Sequence, residues 1–503
     1  MFLGIDCGTQ GTKALVIDER GQTVAQGYAP HRLIERANGA REQDPRWWVD
    51  AMQAAITAAL RDSGLDGRRI LCTAVSGQQH GLVVLDDNGE PIRPAKLWND
   101  TETAPQNAEL LAAFGGPVAW QQKFGIVPLT GYTVSKLLWL RQNEPDSFRK
   151  IRHILLPHDY LNYWLTGKLV TEPGDASGTA YFTIREREWA YEPLDYIESG
   201  SNILRDALPQ LIRSADIIGN LLPRSASALG LGTECIVAAG GGDNMMGAIG
   251  TGNISEGRIT MSLGTSGAVY RYSDKPVEDP TGQVASFCSS TGGWLPLVCT
   301  MNMTNVTARV AEALGRDVNF LSQALRSTRP GADGFTVLPF LNGERTPDLP
   351  SATASIFGMN TSNLSAENLM RATVEGVSFG ILAGLDLVLA GSKAEHLILI
   401  GGGARSPEWR QLIADASGLR VDIPASEESA GLGAALQSMW AWLRFRGETS
   451  TIDEITQACV RIADQFTSFP RAEYFEQYRI AVNRYQHHLR ALFPAATTEP
   501  GIH

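Results

Sequence analysis

A Gly-rich hairpin occurs twice in this chain, about half its length apart, and that repeat constrains the fold more than any other feature. The first copy opens the sequence. An apolar run from Phe2 to Ile5, a small polar turn around Gly8-Thr9-Gln10-Gly11, a second run from Ala14 to Asp18, the turn Glu19-Arg20-Gly21 and a third extended stretch read as a β-meander. The second copy, RITMSLGTSGAVYRYSD, repeats strand, Gly264-Thr265-Ser266-Gly267, strand, so that SLGTSG answers DCGTQG. Another unit is also duplicated. CIVAAGGGDNMMGAIG and HLILIGGGARSPEWRQLIADASG are each a buried apolar strand, three glycines and a helical pattern.

Strands that feed helices through Gly turns predict an α/β architecture with mixed β-sheets flanked by helices. At 503 residues the chain is too long for one core, since single cores stop growing at roughly 250 to 300 residues. Two related domains are therefore expected, 1–252 and 253–503, with the boundary in the small-residue stretch near Thr251 to Glu256. Amphipathic patterns predict helices over Pro45 to Ser63, Ser135 to Gln142, Glu367 to Ala390 and Arg471 to Phe493, and the last residues, TTEPGIH, read as a frayed terminus.

Composition excludes several function classes. The formal charge of −11 offers no clustered basic surface, so neither a nucleic acid nor an anionic membrane is an expected partner. The six cysteines are scattered, with no C-x-x-C pair, and read as free thiols of a cytoplasmic protein. The N-terminal apolar stretch is too short for a signal peptide, and no run approaches the roughly 18 apolar residues of a membrane span. There is no G-x-x-x-x-G-K-[ST] loop, no G-x-G-x-x-G fingerprint, no H-E-x-x-H and no G-x-S-x-G elbow.

Phosphate binding, if present, must then use the two hairpin turns. In turns of Gly and Thr the backbone N–H groups can converge on phosphate oxygens, with Thr9 and Thr265 adding hydroxyls and Lys13 adding charge. Asp6 ends an apolar strand just before the first turn, where a carboxylate serves either as a water-mediated Mg²⁺ ligand or as a turn-stabilising Asx residue. Asp243 stands at a strand-to-helix junction after Gly240-Gly241-Gly242, and reads either as a functional carboxylate or as a helix N-cap. Gly401-Gly402-Gly403-Ala404 opens a helix with no acidic residue in the turn, which suits an adenosine face or an α-phosphate. Taken alone, His80 beside Gln79 reads more readily as a satisfied histidine, and Trp98-Asn99-Asp100 as a substrate wall or a capped helix start.

DCGTQGTK, SGQQHG, LWND, YTVSKLLWLRQNE, LLPHDYL, GDASGT, GGGDN, SLGTSG, NGERTP and IGGGARSPEWRQ follow one another in the order found in the FGGY carbohydrate kinase family. The chain resembles that family from Asp6 to about Ala435, and within it the kinases that act on D-xylulose. Gly131 to Asn143 fits the first family signature; Ala354 to Met359 followed by Asn368 to Glu375 fits the second.

The resemblance implies an actin-like fold: two ribonuclease H-like domains with a central cleft that closes and excludes water, the sugar held by the first domain and ATP mainly by the second. It implies ATP-dependent phosphorylation of D-xylulose to D-xylulose 5-phosphate, with Asp243 as general base and Asp6 as the second essential carboxylate, near Mg²⁺. Thr9, Gln10 and Lys13 would line the first phosphate turn, Gly264, Thr265 and Ser266 the second, and Gly402, Gly403 and Ala404 the adenosine turn. Gln79, His80, Asn244 and Trp98 would meet the sugar.

Two departures bear on the sugar. Gln79 stands where Met frequently precedes the His, and Asn342 stands where Ser is frequent in NGERTP. The resemblance therefore leaves open another ketose, polyol or sugar acid, such as L-xylulose, ribulose, gluconate or glycerol. A more distant alternative is an actin-like ATPase without sugar kinase activity, or a sugar-binding regulator. A homodimer is expected by analogy alone.

Overall fold

The computed structural model describes residues 1–494 other than Ser199, Ser201 and Asn342. Asn342 and the terminal TTEPGIH, both singled out from the sequence, lie outside the described residues. The chain forms two compact units. Unit 1 comprises Met1–Ser255, Tyr272–Leu295 and Glu428–Val460; unit 2 comprises Glu256–Arg271, Pro296–Glu427 and Arg461–His503. The first passage between units falls at residues 255/256, inside the stretch Thr251 to Glu256, but neither unit is one continuous half of the chain.

In unit 1 the predicted meander forms from Phe2–Cys7, Gly11–Ile17 and Thr23–Pro30, paired antiparallel. Phe2–Cys7 also pairs in parallel with Cys72–Gly77, which in turn pairs in parallel with Ile236–Ala238 and then with Gly241–Gly242. Ile217–Asn220 closes the far edge antiparallel. The central strands read FLGI and CTAV because both faces of a parallel sheet are covered by helices.

The helix Pro45–Ser63 covers one face. It starts on Asp44, whose side chain accepts from Arg46 N, and it ends at Gly64 in the left-handed region. Trp48, Met52 and Ile56 are buried in the main core with Leu3, Ile5 and Val75. Also in unit 1 is the helix Ser429–Phe445, reached only after the chain has built most of unit 2. Its small residues permit backbone contact. A Cβ on Gly4 would lie 2.0 Å from Gly431 O, and one on Gly433 would lie 1.7 Å from Met246 O in the helix Asp243–Gly250. The AGLGAAL and MMGAIG runs are thus two surfaces of one helix pair.

Unit 2 repeats the plan. Arg258–Leu263 and Gly267–Arg271 form the second hairpin, Gly267–Arg271 pairs antiparallel with the strand Trp294–Thr300 over residues 297–300, and Arg258–Leu263 pairs in parallel with His396–Ile400, which pairs with Arg420–Asp422. The helix Ala366–Leu389 starts at a Ser365 cap and matches the predicted helix to within a residue at each end. Contrary to the expectation from runs of apolar residues, this helix is long and apolar enough to cross a membrane by length and composition alone. Its length is instead buried in unit 2, where Gly376 lies against Val337 and Gly384 against Val298, as a core helix does. The last helix begins at Phe475, four residues later than the pattern suggests, after a 3₁₀ turn at Ala472–Tyr474. All six cysteines are free.

Candidate active site

The three parallel strands at the centre of unit 1 end in register. Asp6 sits opposite Ser76, and Ser76 opposite Gly241; one step on, Cys7, Gly77 and Gly242 align. Carboxyl ends of parallel strands are where α/β sheets gather ligands, because the side chains of successive strands converge there beyond the last ladder bonds. Ser76 Oγ donates to Asp6 Oδ1 at 2.8 Å. Asp6 therefore takes its bond from the neighbouring strand, not from the turn that follows, and the Asx alternative is not what forms.

Gly240, at φ 72°, bends the third strand into the next element, and a Cβ there would meet Val75 O at 2.2 Å. Gly242 then occupies the N-cap of the helix, and Asp243 is its first residue. The N-cap alternative for Asp243 is thus corrected: a glycine holds the cap, and the carboxylate stays at the sheet end. Asp243 Oδ1 accepts from Asn244 N at 2.8 Å and Asn244 Nδ2 at 3.0 Å, and the same Nδ2 donates to Gln79 Oε1 at 3.0 Å. The structure thus joins Asp243, Asn244 and Gln79 in one chain of hydrogen bonds.

The Gln79 amide is buried, and its Nε2 has no hydrogen-bond partner among the described residues. An unpaired buried donor is costly unless a ligand takes it up. Beside it, His80 adopts a positive φ of 65° and donates from Nδ1 to Gly178 O at 2.8 Å. Its ring stacks on Tyr132 with centroids 4.4 Å apart, and Phe287 packs against both rings, 5.6 Å from His80 and 6.2 Å from Tyr132. Thr133 Oγ1 and Lys136 Nζ both donate to the His80 carbonyl, at 3.1 and 2.5 Å. Two residues of the first signature segment therefore serve to fix the backbone of His80.

The carboxylates are under electrostatic stress. Burial, then the charges of Asp6 and Asp175, push the Asp243 carboxyl up to about 8. Burial also raises Asp6, against the opposing pull of Ser76 and Lys13. Lys13 offsets them only in part, since its Nζ also pairs with Glu428 at 2.5 Å.

The first turn is tightly braced. Thr9 Oγ1 donates to Gln78 Oε1 at 3.1 Å and accepts from Trp98 Nε1 at 2.9 Å, so this hydroxyl is already engaged within the protein. Gln43 Nε2 donates to Thr9 O at 2.8 Å, and the trans peptide consequently points the Gln10 N–H the opposite way. Gln10 itself is exposed. Trp98 is tied to this turn, where the sequence suggested a sugar wall.

Unit 2 carries the second turn. Thr304 N and Oγ1 donate to Gly264 O at 3.1 and 2.7 Å, and Asn305 N to Thr265 O at 3.4 Å. With those carbonyls held against the start of the helix Thr304–Ala313, the N–H groups of Thr265 and Ser266 face away from it. Further along, Gly402–Arg405 forms a 3₁₀ turn and Ser406 caps the helix Pro407–Ser417, so the helix begins three residues after Ala404, later than the sequence suggests. Gly402 is exposed, and a Cβ there would meet nothing within 4 Å, whereas Gly403 is packed on Leu263 and Trp409 and Ala404 is buried. Arg410 holds the turn from behind, donating to Ala404 O at 2.9 Å.

Models of the N-terminal and C-terminal domains of the FGGY family of carbohydrate kinases match residues 1–250 and 259–442. The xylulose kinase of Haemophilus influenzae is 47% identical over 499 residues, 98% of this chain and 100% of that protein. That of Streptomyces rubiginosus is 41% identical over 441 residues, 87% of each. The crystal structure of xylulose kinase from Bifidobacterium adolescentis superimposes with a TM-score of 0.80 at 33% identity, covering 95% of this chain and 99% of that one. The chain belongs to the FGGY family of carbohydrate kinases.

An FGGY kinase is a phosphotransferase with ATP and a small-molecule sugar as substrates, on an actin-like two-domain fold. Several residues that shape this site were missed from the sequence. Gln437 clamps Gly240 from both sides, Oε1 accepting from its N–H and Nε2 donating to its carbonyl, each at 2.8 Å. Nothing local marks Gln437, which lies in mid-helix among alanines and glycines. Ser76 and Gln78, in contrast, sit inside SGQQHG, whose density of small polar residues was a readable signal.

Proposed function

We propose that this FGGY kinase transfers the γ-phosphoryl group of ATP to D-xylulose, giving D-xylulose 5-phosphate and ADP, with Asp243 as general base. The observation that carries the reading is the hydrogen-bonded chain Asp243–Asn244–Gln79, which ends in a buried donor with no partner among the described residues. A polyol hydroxyl can accept from Gln79 Nε2 while another lies near Asp243, and the neutral amides orient the carboxylate without discharging it. Asp243 accepts the hydroxyl proton as the oxygen attacks the γ-phosphorus; the O–H bond breaks, the O–P bond forms, and ADP leaves. The sugar itself is assigned on the strength of the xylulose kinases that resemble the chain over nearly its full length.

The remaining residues are assigned by what they offer. The N–H groups of the Thr9–Gln10 turn in residues 1–252, and of Thr265 and Ser266 in residues 253–503, receive phosphate oxygens; Gly402, Gly403 and Ala404 give a flat face for adenosine. The raised Asp6 carboxyl, with Lys13 engaged elsewhere, fits a hard cation bound through water, and Mg²⁺ bound there offsets phosphate charge. His80, tied to Gly178 O, is assigned to the sugar side, and Trp98, tied to Thr9 Oγ1, to the bracing of the phosphate turn.

The test is ADP release with ATP and Mg²⁺ over a panel of D-xylulose, L-xylulose, D-ribulose, L-ribulose, D-fructose, gluconate and glycerol. A preference for D-xylulose of at least about tenfold in kcat/KM, or about 1.4 kcal/mol, is expected. A different preferred sugar would keep the mechanism and replace the substrate, and ADP release independent of any sugar would remove the kinase reading.

A further inference from the structure

Directly behind the catalytic strand ends of unit 1 lies a buried ion cluster that the proposed reaction does not use. His158, the second residue of the helix Pro157–Thr166, is 1% exposed. A Cβ on Gly77 would lie 2.7 Å from its Cβ, and one on Gly240 would lie 2.9 Å from its Nε2. The imidazole is therefore wedged against the two segments that continue into Gln78-Gln79-His80 and Gly241-Gly242-Asp243.

Its hydrogen bonds define its charge. Nε2 lies 2.6 Å from Ala239 O, where two acceptors would repel, so Nε2 carries a proton and donates to that carbonyl; Asn162 Nδ2, 2.9 Å from Nε2, donates to the same oxygen. Nδ1 lies 2.9 Å from Asp159 Oδ1 and 3.3 Å from Asp175 Oδ2. A lone pair aimed at two carboxylates would repel both, so Nδ1 is protonated as well. The surrounding titratable groups are acidic: Asp159 on its own helix, Glu172 and Asp175 from the segment around Pro173–Ala176, Tyr181 beside Asp159, and Asp6 and Asp243 beyond the glycines. Burial alone would lower the ring's affinity for its second proton, but the adjacent Asp159 and Asp175 carboxylates outweigh it and hold His158 well above the usual histidine range.

We propose that His158 is a positioning residue for phosphoryl transfer: an imidazolium locked between Asp159 and Asp175 that fixes the Ala239–Gly240 backbone, and with it the carboxylate of Asp243. The inference rests on Asp243 being the base. The loop is held over two successive peptides, since Asn162 Nδ2 also donates to Ala239 O at 2.9 Å and Gln437 bonds both the N–H and the carbonyl of Gly240. Glu172 extends the cluster through Asp175 N at 2.7 Å, Ser214 Oγ at 2.6 Å and Ser290 Oγ at 3.1 Å, so the acidic side of the ion pair is itself fixed.

Two measurements on the full-length enzyme test this. The first is the side-chain ¹⁵N spectrum of the histidine-labelled protein at pH 8. A ring protonated on both nitrogens and absent in His158→Gln is expected; a neutral His158 ring at pH 8 overturns the proposal. The second is steady-state kinetics from pH 6 to 9. His158→Gln is expected to lower kcat about 100-fold, the scale set by displacing a reacting group by about 1 Å, with the sugar KM changing less than about threefold. The charge-keeping His158→Lys recovers at least about tenfold of that loss, which a merely packing role would not produce. Asp175→Asn moves the acid limb of kcat/KM to lower pH by at least about half a unit, because it removes a negative charge beside the base. If His158→Gln does not fold, Asp175→Asn decides by that limb, and an unmoved limb overturns the proposal, as does a kcat for His158→Gln within about threefold of the parent. The ring spectrum is independent of the chemistry assigned to Asp243, so failure of that assignment and failure of this one are told apart.

Discussion

At the scale of single residues, the free enzyme holds Asp243 in a state that opposes its own ionisation. Its folded-state value of about 8 lies far above the ordinary carboxyl value, so between those limits the folded chain binds more protons than the unfolded one. The sign follows: this group's contribution to stability is full at low pH and is lost as pH rises from about 4 through about 8. Asp243→Asn should therefore leave Tm unchanged near pH 4 and raise that of the ligand-free protein by about 3 °C or more at pH 8.5, measured by differential scanning calorimetry. Catalysis should show the complementary trend. Because the base must be ionised, kcat/KM should fall about tenfold per unit below pH 8, and a flat profile between pH 6 and 9 would contradict the assignment. Gly402 separates binding from folding, since a methyl group there meets no protein atom. Gly402→Ala should keep Tm within about 1 °C yet raise the KM for ATP about tenfold, in the manner of an overpacked contact.

At the scale of elements, two strand-turn hairpins and two strand-GGG-helix units were legible because their physics is local. An apolar run, a glycine turn and an amphipathic repeat can each be read within some 20 residues. Asp6, Asp243 and the glycines at 402–403 are legible in the same way. What was not legible depends on approach between segments distant in sequence. Thr9 looked like a phosphate donor until Gln78 and Trp98 were seen to occupy its hydroxyl. Lys13 looked like a free cation until Glu428, more than 400 residues away, took its charge. Gln437 has no signal, because its value lies in bonding both backbone polar groups of one residue, Gly240, on another element. Gln437→Leu leaves that buried N–H and carbonyl unpaired, at about 1–3 kcal/mol each, and should lower both Tm and kcat. The kcat loss is the informative part, since the peptide concerned leads directly to Asp243.

At the scale of the whole molecule, the chain does not divide its structure as it divides its sequence. The helix Ser429–Phe445 overlaps the segment matched by the C-terminal family model, yet it folds in unit 1, where Gly431 and Gly433 give Gly4 and the Asp243–Gly250 helix their backbone partners. A fragment ending at residue 255 would lack that helix and expose an apolar sheet face. Such a fragment should lose cooperative unfolding, whereas one carrying residues 428–460 on a linker should regain it, as circular dichroism during thermal melting would show. Gly433→Ala in the intact chain attacks the same contact. With Met246 O 1.7 Å from the new methyl carbon, the helices must separate, at a cost of about 3 kcal/mol or more.

The central claim is that Asp243 takes the proton of a sugar hydroxyl in phosphoryl transfer from ATP. It is tested most directly by comparing Asp243→Asn with the parent enzyme in ADP release with saturating D-xylulose, ATP and Mg²⁺ at pH 8. Loss of at least about 1000-fold in kcat, with the D-xylulose dissociation constant changed less than about threefold by calorimetry, is the predicted result. Turnover within about tenfold of the parent would contradict it, because an amide cannot accept the proton that a carboxylate can.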